Sequence, residues 1–135
     1  MRVLETALPD VKLIELDYFE DFRGTYLESY NREEYQKQGI SIDFVQDDFS
    51  MSRKHVLRGI HGDTETWKLV SCIEGCFRLV VVNCDTESEL FGQWVAFDLS
   101  ETNARQVLIP PKHGNAHLVL SDRAIFHYKQ STYYN

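Results

Sequence analysis

A chain of 135 residues can bury one hydrophobic core but not two, so a single domain over residues 1–135 is expected. A formal charge of −7 and an isoelectric point near 5.1 argue against a nucleic-acid partner, because phosphate-backbone binding draws its affinity from clustered cations. No apolar run approaches the roughly 20 residues of a membrane span, Met1-Arg2-Val3-Leu4-Glu5 has no apolar signal core, and Cys72, Cys76 and Cys84 fit no CxxC spacing, which predicts reduced, buried thiols in a cytoplasmic protein.

In chain order, the segment VKLIEL at 11–16 alternates with the period of a strand and is followed by a turn at Asp21-Phe22-Arg23-Gly24. A short helix follows over 31–38, with Asn31 as its cap, Glu34 three residues later as in a capping box, and Gly39 ending it. Further strand-like segments are WKLV at 67–70, FRLVVV at 77–82, WVAF at 94–97, HLVL at 117–120 and FHYKQ at 126–130. Turn residues at Glu74-Gly75, Phe91-Gly92 and Pro110-Pro111 keep the rhythm of an antiparallel sandwich or barrel. The predicted fold class is all-β, a jelly roll whose open end holds a ligand between two sheets.

His61 closes the run Val56-Leu57-Arg58-Gly59-Ile60-His61 and is followed by Gly62, which predicts an imidazole at the mouth of a strand. Imidazole has the unperturbed pKa best suited to accept a proton at neutral pH. A histidine alone is ordinarily a surface or hydrogen-bonded core residue, but Lys68 lies on the next predicted strand, where a fixed cation can stabilise an enolate oxygen. Alternation puts Phe126, Tyr128 and Gln130 on one strand face and His127 and Lys129 on the other, and a phenol facing a histidine can return a proton to the opposite side of a planar enolate. Core packing is the competing role for Tyr128. Tyr133 and Tyr134 could stack on a nucleobase, while Arg23-Gly24 and Arg58-Gly59 suit close approach to phosphate. A metal site built from His61, Asp63, Glu65, His113 and His117 is the rival arrangement, and the turn-like 62–66 stretch would splay it.

The chain resembles the dTDP-4-dehydrorhamnose 3,5-epimerase family, metal-independent members of the cupin superfamily. The resemblance is nearly collinear. It runs from Asp21-Phe22-Arg23-Gly24 and Glu28-Ser29-Tyr30-Asn31 through Phe44-Val45-Gln46-Asp47, Leu57-Arg58-Gly59-Ile60-His61 and Lys68-Leu69-Val70. It continues over Phe91-Gly92-Gln93-Trp94, Gln106-Val107-Leu108-Ile109-Pro110, Leu118-Val119-Leu120-Ser121-Asp122, Tyr128-Lys129 and Tyr133-Tyr134. It implies a cupin-type jelly roll, a homodimer, and action on a nucleotide-diphosphate 4-keto-6-deoxy sugar without metal or cofactor, in the supply of sugars for surface polysaccharide. His61 would be the base, Lys68 would steady the enolate and Tyr128 would reprotonate from the other face. Arg23 and Arg58 match phosphate-contacting arginines, and Glu28, Gln46 and Tyr134 match positions near the nucleotide.

Departures from the family pattern affect the details. Family members run on beyond the position of Asn135 and supply there an aspartate that orients the histidine, a part that Asp63 could take here. The stretch from Gly62 to Trp67 is shorter than usual, Asp48-Phe49 stands where Asn-His is common, and Asn115 replaces a histidine, with His117 as its partial substitute. These changes keep two further expectations open. One is a nucleotide-sugar 3,4-ketoisomerase, and the other is a sugar-nucleotide-binding module without activity.

Overall fold

Period-two segments become strands and turn clusters become the bends between them in the computed structural model, which describes residues 1–134. The strands are β1 (Arg2–Glu5), β2 (Lys12–Glu15), β3 (Tyr18–Asp21), β4 (Gly24–Leu27), β5 (Gln46–Arg53) and β6 (Leu57–His61), with the helix α1 (Arg32–Lys37) between β4 and β5. They continue with β7 (Lys68–Glu74), β8 (Cys76–Asn83), β9 (Trp94–Ser100), β10 (Arg105–Ile109), β11 (His113–Val119) and β12 (Arg123–Gln130). Six strands form a large sheet in the order β1-β2-β10-β7-β12-β5, four form a smaller one in the order β6-β11-β8-β9, and β3 and β4 make a separate hairpin. This is the expected antiparallel sandwich, and its sheets do not close into a barrel.

The core lies between the sheets. Val70, Val107, Ile109 and Phe126 from the large sheet meet Phe77, Leu79, Val81, Leu99 and Val119 from the smaller one. A second cluster covers the outer face of the large sheet, where Leu69 and Leu108 pack with Ile14, Ile40 and Tyr35 of α1. Alternation along β7 therefore sends Leu69 outward under the helix and Val70 inward, and Lys68 follows Val70 to the inside. The Tyr35 hydroxyl is anchored on Gln106 Oε1 at 2.5 Å, and Asn31 caps the helix by accepting from the Glu34 amide at 3.2 Å.

The cysteine expectation needs correction. Cys72 and Cys76 are half-buried and Cys84 is exposed. The Cys72 thiol is pushed up to about 12, by burial first and then by Cys76 and nearby acidic groups, which keeps it protonated at neutral pH. Among the described residues no helix is long and apolar enough to cross a membrane.

Candidate active site

Where the apolar core ends, the space between the sheets opens into a cavity of about 990 Å³. His61, Arg58, Asn115 and His117 line it from the smaller sheet, and Lys68 and Tyr128 from the large one, with Tyr134 at its rim. A histidine therefore faces a lysine and a phenol across one opening, from elements far apart in the chain.

The wall formed by β6 depends on an irregularity. Arg58 and His61 are three residues apart and would point to opposite faces of a regular strand. The ladder between β6 and β11 instead shifts register, so that Asn115 pairs with His61 while His117 pairs with Arg58. The extra residue on β6 brings both side chains to the cavity. Gly59 makes this possible. Its φ of +121° suits glycine, and a Cβ there would lie 2.7 Å from Ala116 Cα on the neighbouring strand. Arg58 is then steered by its Nε, which donates to Ser52 Oγ at 2.8 Å and leaves the outer guanidinium nitrogens for a ligand.

On the opposite wall, the Lys68 ammonium sits 5.4 Å from the Tyr128 ring centroid. Burial lowers the Lys68 pKa, and Asp63 partly offsets this. Tyr128 is pushed up, by burial first and then by Asp48, its partner across the β5–β12 ladder. Asp48 is thus a neighbour of the phenol, a part that sequence alternation misses because it needs the pairing register. Asp48 also accepts from Gln46 Nε2 at 2.7 Å, and Gln46 Oε1 accepts from the Tyr134 amide at 3.1 Å, so Gln46 supports the rim without lining the cavity.

His117 is buried, stacked on Phe126 with ring centroids 4.0 Å apart and an interplanar angle of 9°. Burial, followed by Arg58 and His61, lowers its pKa to about 4, which keeps the ring neutral at physiological pH.

Other residues singled out in the sequence lie apart from this arrangement. Arg23 and Glu28 are exposed and outside the cavity lining; Arg23 lies at the tip of the β3–β4 hairpin, where its Nη2 donates to Asp21 Oδ2 at 2.6 Å. Asp63 does not orient His61, because its oxygens accept from the Glu65 amide at 2.9 Å and from the Thr66 amide and hydroxyl at 2.7 Å each. Burial opposes ionisation of Asp63, but those bonds and Lys68 outweigh it and lower its pKa. The strand also ends at His61, so His61, Asp63 and Glu65 share no strand face, and among the described residues no group of three or more His, Cys, Asp or Glu is arranged to hold a metal.

The sequence pattern of the family described as dTDP-4-dehydrorhamnose 3,5-epimerase matches residues 5–135. The chain belongs to this family. Among its relatives, the dTDP-4-dehydrorhamnose 3,5-epimerase of Salmonella typhimurium is 42% identical over all of this chain and 76% of its own length. The dTDP-6-deoxy-D-glucose-3,5-epimerase of Legionella pneumophila, solved with dTDP-4-keto-L-rhamnose, superposes with a TM-score of 0.94 at 39% identity, covering 99% of this chain and 73% of that one. A 3'-monoepimerase of Streptomyces bikiniensis, solved with dTDP-quinovose, gives a TM-score of 0.91 at 26% identity, covering 98% of this chain and 69% of the other. In this chain the histidine, lysine and tyrosine share the cavity walls with Asn115, and Asp48 lies beside Tyr128 on the neighbouring strand.

Proposed function

We propose that this chain is an isomerase that epimerises a dTDP-4-keto-6-deoxy sugar at C3, C5 or both, acting as a cytoplasmic homodimer in activated-sugar biosynthesis. The observation that carries this reading is the opposition of His61 to Lys68 and Tyr128 across one cavity large enough for a sugar. Family membership and the dTDP-sugar complexes of similar enzymes support it.

His61 takes the proton on the carbon beside the C4 ketone, and the electron pair of that C–H bond moves into the ring as the carbonyl π pair moves onto oxygen. The Lys68 ammonium stands where the resulting enolate oxygen gains most from a preorganised cation in a partly dry site. Tyr128 donates its phenolic proton to the other face of the enolate, inverting the centre; His61 then releases to solvent the proton it took, and Tyr128 recovers one from solvent. Its raised pKa keeps the phenol protonated throughout the neutral range, so loss of activity from this group belongs on the alkaline side of an ordinary tyrosine. Arg58, fixed by Ser52, contacts the diphosphate, while Asn115 and His117 line the sugar end and Tyr134 the nucleotide end.

Arg23 and Glu28 fit this scheme as groups supplied by the second copy. The hairpin that carries Arg23 exposes Phe22 (97%), Tyr26 (71%) and Phe19 (69%), and β5 leaves an open edge on the large sheet with Phe49 and Met51 exposed.

The test is proton NMR in D2O with dTDP-4-keto-6-deoxy sugars. Loss of the C3 or C5 signal is expected with the native chain, and His61→Ala should abolish it while nucleotide binding stays within a few-fold, because a base acts on the transition state. Binding without exchange in the native chain would refute the epimerase and leave a sugar-nucleotide-binding module. Inversion at one centre is favoured as a second outcome by the similarity to the 3'-monoepimerase.

A further inference from the structure

We infer that Asp48 is the positioning residue for Tyr128: its carboxylate holds the phenolic proton and sets the balance between inverting a sugar centre and returning it unchanged. The effect on the reaction rests on the proposed function, but the contact between Asp48 and the phenol does not.

The inner face of β5 carries Gln46, Asp48, Ser50 and Ser52, while Asp47, Phe49, Met51 and Arg53 are exposed on the other face. A strand face turned towards the space between two sheets is ordinarily apolar, so four polar side chains in succession mark this one as part of a site. Two of the four have been accounted for, since Ser52 holds Arg58 and Ser50 lines the cavity. Asp48 is opposite Tyr128 in the β5–β12 ladder, and directly opposed residues of an antiparallel pair extend to the same side with Cβ atoms about 5 Å apart. Gln46 Nε2 donates to Asp48 Oδ2 at 2.7 Å, which fixes the carboxylate and leaves Oδ1 for the phenol. Asp48 acts on Tyr128 both as a charge and as a hydrogen-bond acceptor.

No other ionisable group near the phenol takes this part. Lys68 lies 5.4 Å from the ring centroid and has only donors. Arg58, His61 and His117 come from the smaller sheet, and Tyr134 is at the rim. Asp63 and Glu65 belong to the 62–66 turn, whose amides and hydroxyl occupy the Asp63 oxygens. When Tyr128 protonates the enolate carbon, the O–H electron pair stays on the phenolic oxygen. Negative charge thus leaves the enolate oxygen for a tyrosinate beside Asp48. The hydrogen bond to Asp48 is lost and two anions are left side by side, so delivery from this face is slowed. On the opposite face His61 exchanges its captured proton with solvent and hands one back, which restores the starting configuration. Asp48 therefore favours exchange over inversion, and a neutral amide in its place favours inversion.

The experiment compares the native chain with Asp48→Asn, a nearly isosteric change whose side-chain oxygen still accepts from Gln46. Initial rates by proton NMR in D2O with a dTDP-4-keto-6-deoxy sugar measure the epimer formed against deuterium taken up by sugar of unchanged configuration. In Asp48→Asn the ratio of inversion to exchange should rise about threefold or more, because a more acidic phenol is a faster donor. A ratio that stays the same or falls would overturn the inference. A second readout needs no sugar: carbon NMR of ring-labelled tyrosine follows ionisation of Tyr128 in the free protein, with Tyr128→Phe identifying its signal. The midpoint should fall in Asp48→Asn, and equal midpoints would refute the contact. No exchange by the native chain would overturn the effect on the reaction together with the proposed function, whereas a lowered midpoint would still place the phenolic proton on Asp48.

Discussion

Burial of the neutral His117 ring makes the stability of the folded chain depend on pH. The unfolded chain holds a histidine with a pKa near 6.5, and the fold lowers it to about 4 by burying the ring beside Arg58 and His61. Between these values the unfolded state binds the proton and the folded state does not, so stability is complete above about pH 6.5 and falls as the pH drops towards 4, by on the order of 3 kcal/mol. His117→Phe keeps the ring stacked on Phe126 and removes the titration. Urea unfolding of this variant should match the native chain at pH 7 within about 1.5 kcal/mol, the range of volume-conserving core swaps, and should be less sensitive to pH between 4 and 6.5. An unchanged pH slope would show that other groups cause it.

At the scale of elements, the bulge in β6 does what no side chain does alone: it brings Arg58 and His61 to one face. A regular strand would put one of them on the outside of the smaller sheet. Gly59→Ala adds a Cβ where Ala116 Cα and Cβ and the Asn115 carbonyl oxygen all lie within 2.7 Å, at a φ that alanine rarely adopts. The expected cost is about 1–3 kcal/mol in chemical denaturation, as for overpacking elsewhere. Epimerase activity should fall by more than the unfolded fraction explains, because β6 must move to accept the methyl group. Gly92→Ala is the control, since its φ is also positive (+83°) but nothing lies near the added Cβ. Equal losses in the two variants would assign the effect to backbone strain and not to the wall of the site.

For the whole molecule, the exposed aromatics of the β3–β4 hairpin and the open edge at β5 favour association of two copies. Sedimentation should give a dimer at micromolar concentration, and Phe22→Ser with Tyr26→Ser should shift it towards monomer. Arg23 then gives the sharper test. If it acts in the partner's cavity, mixing the Arg23→Ala and His61→Ala proteins under exchange creates one intact site per mixed dimer and restores about a quarter of native activity, as two-fold symmetry requires. No recovery on mixing would return Arg23 to its own chain or remove it from the site.

Taken alone, the sequence determined the parts that local chemistry governs. Alternation over 77–82 and 126–130 fixed both the strands and the faces they present, since side-chain direction has period two wherever one face is buried. Asn31 and Gly39 bounded the helix because caps are local hydrogen-bond and backbone requirements. The family motifs named His61, Lys68 and Tyr128, and all three line one cavity. What the sequence could not determine depends on pairing between distant strands. The register of β11 places Asn115 against His61, that of β12 places Tyr128 against Asp48, and the β6 bulge reverses the face that alternation assigns. Asp63 was a plausible partner for His61 by proximity in the chain, yet its oxygens satisfy the amides and hydroxyl of its own turn first. Such competition between nearby and distant donors is decided by the free energy of the whole packed arrangement, and only the tertiary structure records its outcome.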